Sequence, residues 1–435
     1  MTTIKRLRRL TGEATKPGAD SNRADEISEL RRRIDEIVSR RPVAREMSAP
    51  RPHTHNIALH DVIRGEEVAN KCGKFFIVRG QHTASAIHGN RRLKDISAID
   101  MKAAALLAND TDIASFACHD ALFLDTETTG LAGGTGTFAF LIGVGWFDNE
   151  AFITQQIFAR DFSEERAGLS FLLEIARGKK FLVTYNGKIF DIGILSTRFI
   201  LNRLPDALAP MPHLDLLHPA RRLFGHRLEN NRLSTMERDI IEFQRYGDIP
   251  GSEIPQRYFD WLRYRDPHLL TDVFEHNRLD VVSMAALSIH LAELVDPRID
   301  RHARRHTDLL AASRLFLDRG DHDRAQRILE SLVDSNEPHV ALEAKRSLSL
   351  IYKRHGRWAE AAYLWKAILQ HEPGNLFAVE ELAKNLEHRE RNFTQAIDLI
   401  NQTLGQSNFR TGAERDALLY RLRRLQGRAG RSPKE

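Results

Sequence analysis

Leu122-Phe123-Leu124-Asp125-Thr126-Glu127-Thr128-Thr129-Gly130-Leu131 is the stretch on which the reading of this chain turns. Its apolar start predicts a buried strand, and two acidic residues follow two positions apart. In an extended chain residues i and i+2 project to one face, so such a strand holds both carboxylates side by side. Like charges repel, and burying them unpaired is expensive, so the arrangement makes sense mainly where a cation holds them. A bare Asp-x-Glu also marks ordinary solvated strand ends. The small residues Thr128, Thr129 and Gly130 after an apolar strand make this run more specific.

Two further acidic segments lie downstream. Tyr185-Asn186-Gly187-Lys188-Ile189-Phe190-Asp191 follows a second apolar strand pattern, Phe181 to Tyr185, and Asp191 stands where a helix over Ile192 to Leu201 should open. The helix dipole alone also favours a carboxylate at that point. His276-Asn277-Arg278-Leu279-Asp280 falls inside a long helical pattern, Asp272 to Leu294. Positions i and i+4 share a helix face, so His276 and Asp280 look into one cleft. Four carboxylates without a thiolate form a hard oxygen site, which suits Mg²⁺ or Mn²⁺ rather than zinc.

Taken together, these segments resemble the motifs of the DEDD exonucleases, the superfamily of polymerase proofreading subunits. The resemblance implies an α/β RNase H-like fold, a mixed central sheet flanked by helices. It also implies a 3′-5′ exonuclease that hydrolyses phosphodiesters of single-stranded DNA or RNA, with two ions, Mg²⁺ or Mn²⁺, roughly 3.5 to 4 Å apart. Asp125, Glu127, Asp191 and Asp280 would then be the metal ligands. Thr128, Thr129 and Gly130 would lie against the 3′ end, and Asn186 and Lys188 would complete the substrate-binding set, with Lys188 facing either a phosphate or solvent. One departure stands out. The family has a His five residues before the last aspartate or a Tyr four before it, whereas His276 has the four-residue spacing. His276 is therefore either the general base or a structural hydrogen-bonding group.

Other segments narrow the resemblance to the YprB-type branch of RNase H-like proteins, over roughly residues 56 to 296. They are His213-Leu214-Asp215-Leu216-Leu217-His218-Pro219-Ala220-Arg221-Arg222-Leu223, Pro250-Gly251-Ser252-Glu253-Ile254-Pro255 and the loop Gly133-Gly134-Thr135-Gly136-Thr137. Asp215 is a reserve acidic residue, although its apolar neighbours favour a structural strand end. The glycine loop either lines a groove or forms a hairpin, and Arg221 and Arg222 face either phosphate or solvent. A structure-specific endonuclease on the same fold is the alternative enzyme. All four carboxylates being present argues against a non-catalytic nucleic-acid-binding or repeat scaffold.

Strand and helix signals alternate from Ala121 to Asp296, as an α/β domain requires. Strands are expected at Lys74 to Arg79, Leu122 to Leu124, Phe138 to Trp146 and Phe152 to Phe158, and helices at Lys102 to Leu107, Glu164 to Ala176 and Thr235 to Phe243. The last helix carries a capping-box spacing, Ser234 to Glu237. Beyond residue 305 strand signals stop and a period emerges. Gly320-Asp321-His322-Asp323-Arg324-Ala325 is echoed at Gly356 to Ala361 and at Arg391 to Ala396, with the alanines 36 and 35 residues apart. The pattern resembles tetratricopeptide repeats, helix-turn-helix units of about 34 residues that stack and often bind a protein partner.

Three segments are expected: a disordered basic tail at 1–55 with one short amphipathic helix near Ile27 to Val38, a nuclease domain at 56–300, and an all-α repeat domain at 306–430, self-contained and touching the nuclease over limited surface. The net charge is +5; the tail holds 13 Lys/Arg against 8 Asp/Glu, and the rest of the chain is balanced at 51 of each. Attraction for phosphate is thereby placed mainly in the tail, which is either a nucleic-acid arm or a solvated leader. The longest apolar run, Phe138 to Phe147, has ten residues, short of the roughly 20 that span a bilayer. With two widely separated cysteines and no secretory leader, no membrane association and a cytoplasmic location are expected.

Overall fold

In a computed structural model, which describes residues 57–83, 85–130, 136–149, 151–296, 305–406 and 411–429, the decisive strand lies in the middle of a seven-stranded sheet. The basic tail, its helix at Ile27 to Val38, and Gly133, Gly134 and Thr135 lie outside the described residues. After a helical turn, α1 (Leu59–Val62), come β1 (Glu66–Asn70), β2 (Gly73–Thr83) and a small hairpin, β3 (Ile87–His88) with β4 (Arg91–Arg92). Then follow α2 (Met101–Ala108), β5 (Ala121–Thr128), β6 (Ala139–Asp148), β7 (Ala151–Phe158), α3 (Glu165–Ala176), β8 (Phe181–Thr184), α4 (Asp191–Leu201) and β9 (His213–Asp215). The sheet order is β1-β2-β7-β6-β5-β8-β9; β5, β8 and β9 run parallel, and the remaining pairs are antiparallel. This is the expected mixed RNase H-like sheet.

Side-chain alternation along β5 decides what each of its faces meets. Leu122 and Leu124 pack with Leu169, Leu172, Leu195 and Phe199 from α3 and α4. Phe123 packs on the opposite face, against Val281, Val282 and Ala285. These belong to the 25-residue helix α8 (Thr271–Val295), which is preceded by α5 (Leu217–Phe224), α6 (Leu233–Asp239) and α7 (Ile254–Tyr264). A third cluster, with Phe140 stacked on Tyr258 at 4.1 Å between centroids, seats α7. For β9 only its end at Asp215 was expected, and the helices α5, which is short, and α7, which opens on Pro255, had no expectation.

One expectation fails locally. The helix at Thr235 to Phe243 ends at Asp239, and no side chain caps its start at Arg232. Glu237, expected as a capping partner, is buried and binds Arg245 instead.

Beyond 305 the described residues are all helical: α9 (His306–Asp318), α10 (His322–Leu332), α11 (Pro338–Arg354), α12 (Trp358–His371), α13 (Leu376–His388), α14 (Phe393–Gln406) and α15 (Gly412–Ala429). The three sequence echoes fall on three tight turns whose first residue, Gly320, Gly356 or Arg391, has positive φ (77°, 75°, 53°). Ala325, Ala361 and Ala396 are each fully buried, where a larger side chain would part the helices. The helices are therefore consistent with repeats. They pack directly on the preceding helices: one hydrophobic cluster runs from Phe123 and Val281 through Leu223 and Phe224 to Leu309, Phe316 and onward to Leu425. Arg227 fastens the junction by a two-pronged pair with Asp308, at 2.8 and 2.9 Å.

Candidate active site

The period of β5 builds the site. Asp125 and Glu127 share the face of Phe123 and turn toward α8, while Thr126 points the other way and donates its hydroxyl to Asp191 at the start of α4. A register shift at Glu127/Thr128 ends the regular pairing with β6 and re-aims the strand tip. Glu127 from β5 and His276 and Asp280 from α8 offer ligand atoms within 4.8 Å of one another, a grouping able to hold a metal ion. Asp125 on β5 and Asp191 on α4 lie outside this grouping but close enough to act electrostatically on Glu127.

Their electrostatics fit a cation. Burial first, then the charges of Asp280 and Asp191, push the Asp125 carboxyl well above the usual carboxylate range. Burial, then Asp125, Asp280 and Asp191, do the same to Glu127. Asp191 is pushed up to about 6, by burial opposed by the Thr126 hydroxyl. A fold that forces carboxylates together against this repulsion has a place for positive charge at their centre. All donors among these carboxylates are oxygens, with one imidazole at the rim, which suits a hard divalent ion.

Several residues that the motifs did not assign hold this group in place. Asn277, fully buried, donates to Asp125 Oδ2 at 2.8 Å and accepts from Gln156 Nε2 at 3.0 Å. Gly143 faces Asn277: a Cβ there would stand 2.3 Å from its Oδ1, so only glycine lets Asn277 in. Arg245 is 7% exposed; it binds Asp280 through Nη2, Glu237 at 2.6 and 2.8 Å, and Asp248 at 3.1 Å. Asp248 also meets His276 Nδ1 at 2.8 Å, leaving Nε2 on the side of Asp280, 3.6 Å from Oδ2. Arg245 and Asp248 sit in a stretch without periodicity and gave no signal. A glutamine in an apolar strand, Gln156, was a signal that could have been read.

Residues 122–292 match the RNase_H superfamily. Over 314 residues the chain is 34% identical to "Uncharacterized protein YprB" of Bacillus subtilis (strain 168), covering 71% of this chain and 74% of that one. The chain belongs to the YprB family of RNase H-like proteins. Membership of the RNase H superfamily supports a nuclease, a hydrolase with nucleic acid as its substrate.

Within this YprB-family chain the remaining expected residues fall in two groups. Thr128 donates to Gly130 O and Thr129 accepts from Phe138 N, so both hydroxyls are engaged in closing the strand end. Asn186 adopts φ 66° and gives its N–H to Asp215. Gly187 beside it is required, since a Cβ would come within 2.7 Å of Asp191 Oδ2. A Cβ on Gly130 would meet Thr137 Oγ1 at 3.6 Å, ordinary contact, and Lys188 is exposed. Asp215, the reserve acidic residue, accepts the backbone N–H groups of Asn186, Leu217 and Lys188 and serves as the structural strand end. Among the described residues no helix is long and apolar enough to cross a membrane.

Proposed function

We propose that this protein is a metal-dependent 3′-5′ exonuclease acting on single-stranded DNA or RNA, with residues 56–300 as the catalytic part and 306–430 as tetratricopeptide-like repeats open to a protein partner. The observation that carries the reading is the grouping of Glu127, His276 and Asp280, with Asp125 and Asp191 near enough to raise the Glu127 carboxyl. A divalent cation, Mg²⁺ or Mn²⁺ and in the two-ion form of this chemistry a pair, supplies charge that stabilises the phosphoryl transition state. The chain's own residues position and move protons. Asn277 and Thr126 fix the orientation of Asp125 and Asp191, and Arg245 fixes Asp280. Asp248 at Nδ1 turns Nε2 of His276 toward the site, where it takes the proton of the water whose oxygen bonds to phosphorus as the P–O3′ bond breaks, and the leaving 3′ oxygen takes a proton from solvent. Two free cysteines suit a reduced cytoplasmic setting.

The test is incubation of pure protein with end-labelled single-stranded DNA and RNA in Mg²⁺, Mn²⁺ or EDTA. Metal-dependent release of mononucleotides from a free 3′ end, with stalling on a blocked 3′ end, is the expected result. Cleavage of circular or 3′-blocked strands at the same rate would replace the exonuclease with an endonuclease.

A further inference from the structure

The parallel strands β5, β8 and β9 end on one edge of the sheet, and in open α/β sheets ligands bind outside the carboxyl ends of strands. Asp125 and Glu127 lie at the end of β5, and Asp191 follows β8. Beyond β9 the same edge opens into a cavity of about 240 Å³ walled by Lys188, Asp215, His218, Arg221, Arg222 and Arg319. Four of these are cations. They come from three places: the loop before Asp191, the helix α5, and the end of the first C-terminal helix, α9.

The charge in this cavity is poorly offset. Asp215 is its one carboxylate, and it is saturated by the three backbone N–H groups named above. Arg222 has a partner outside, Asp318 at 3.2 Å. Lys188 and Arg221 make no side-chain hydrogen bond or ion pair among the described residues, and the Nε of Arg319 is buried without any acceptor. Burial and the nearby Arg222 make the Arg319 charge costly, and its pKa is lowered accordingly. An anion with several acceptor oxygens would offset the repulsion among these cations.

We propose that this cavity binds a backbone phosphate of the nucleic-acid strand whose end lies at the carboxylates, so that Arg319 of the helical region and Arg221 of the catalytic region grip one phosphate between them. The proposal rests on the nuclease reading for its ligand. Two strand spacings of about 4.8 Å separate β5 from β9, so the grip lies about 10 Å along the sheet edge. At about 3.4 Å of rise per nucleotide, that is two or three nucleotides from the cut. The helical region thereby becomes part of the substrate track.

The experiment uses the full chain in EDTA, so that nothing is cut, with fluorescence anisotropy of a labelled oligothymidylate across a salt titration. Arg319→Gln and Arg221→Gln enter the cavity from its two sides, and Arg314→Gln, on the outer face of α9 beside Glu343, removes the same charge elsewhere. Each cavity variant is expected to weaken binding about fivefold and to lower the salt slope by about 0.7, the loss of one phosphate contact on a single strand. Arg314→Gln should do neither. Affinities for Arg319→Gln and Arg221→Gln equal to that of Arg314→Gln would overturn the proposal. So would calorimetry in which inorganic phosphate binds wild type and not Arg319→Gln while oligothymidylate binds both alike, because the cavity would then serve free phosphate. If added metal produces no hydrolysis yet Arg319→Gln still weakens binding, the nuclease reading fails and the cavity stands.

Discussion

Two buried acidic centres in this chain are built on opposite plans. Near the C-terminus the Glu387 side chain is fully enclosed and meets three guanidinium groups of one helix, Arg421 at 3.1 Å, Arg424 at 2.5 Å and Arg428 at 3.0 Å. At the sheet edge four carboxylates share a single guanidinium, Arg245, which touches only Asp280 among them. A buried charge whose partners are all supplied by the fold can only hold helices together. Carboxylates left short of positive charge, with their pKa values driven upward, are set for a charge brought from outside.

The largest expected effect is on catalysis. Asp125→Asn removes a ligand charge together with its repulsion, so turnover should fall by about 10³-fold, roughly 4 kcal/mol, while the metal-free protein stays at least as stable as wild type. Metal-dependent hydrolysis within threefold of wild type would remove the carboxylates from the chemistry.

Stability should separate the two centres next. Arg245→Gln strips the buried Glu237 and the half-buried Asp280 of their guanidinium partner and should cost about 3 kcal/mol in EDTA, with part of the loss restored by Mg²⁺. Glu387→Gln should cost about 2 kcal/mol, less because water reaches Arg424 and Arg428. Magnesium should recover nothing there. Urea midpoints with and without Mg²⁺ measure both, and equal rescue of the two variants would erase the distinction.

What the sequence disclosed follows from which forces are local. The five expected strands and the positions of Asp125, Glu127, Asp191 and Asp280 were legible because apolar alternation and the spacing within each motif are set by neighbours in the chain. Arg245 was not, because two of its partners, Glu237 and Asp280, lie 8 and 35 residues away in sequence and only the closed fold joins them. Glu237 misled for the same reason, since its local capping pattern was overruled by a buried arginine. The continuous core joining α5 to α9 was also hidden, since an amphipathic helix announces that it has an apolar face but not what will cover it.

A smaller effect should appear at Gly143. Alanine there drives a methyl group onto Asn277 Oδ1 and should break the Gln156-Asn277-Asp125 chain, at about 1.4 kcal/mol, or tenfold in turnover. Asn277→Ala should match it, and the double variant should be no worse, because both remove one interaction. Additive losses in the double variant would show that Gly143 acts through something else.

The smallest effect tests the uncompensated charge directly. In the folded, metal-free protein Asp191 ionises at about 6 against an ordinary 3.8. A raised folded-state pKa means that the native state holds a proton the unfolded chain has released, so the contribution is fully present below about 4 and is lost as pH rises through 6. Two buried histidines, His88 and His213, are pushed down to about 4 and contribute with the opposite sign, gaining stability as pH rises. The whole-protein curve therefore mixes both trends, and the difference between wild type and Asp191→Asn isolates one. In EDTA, the stability of wild type relative to the variant should fall by about 1 kcal/mol from pH 5 to pH 7. Magnesium should reverse the trend for wild type alone, since cation binding requires the ionised carboxylates and strengthens as they lose their protons. A difference that stays flat across this range would mean that Asp191 is already charged without a metal, and that the repulsion at the sheet edge is met within the fold as it is at Glu387.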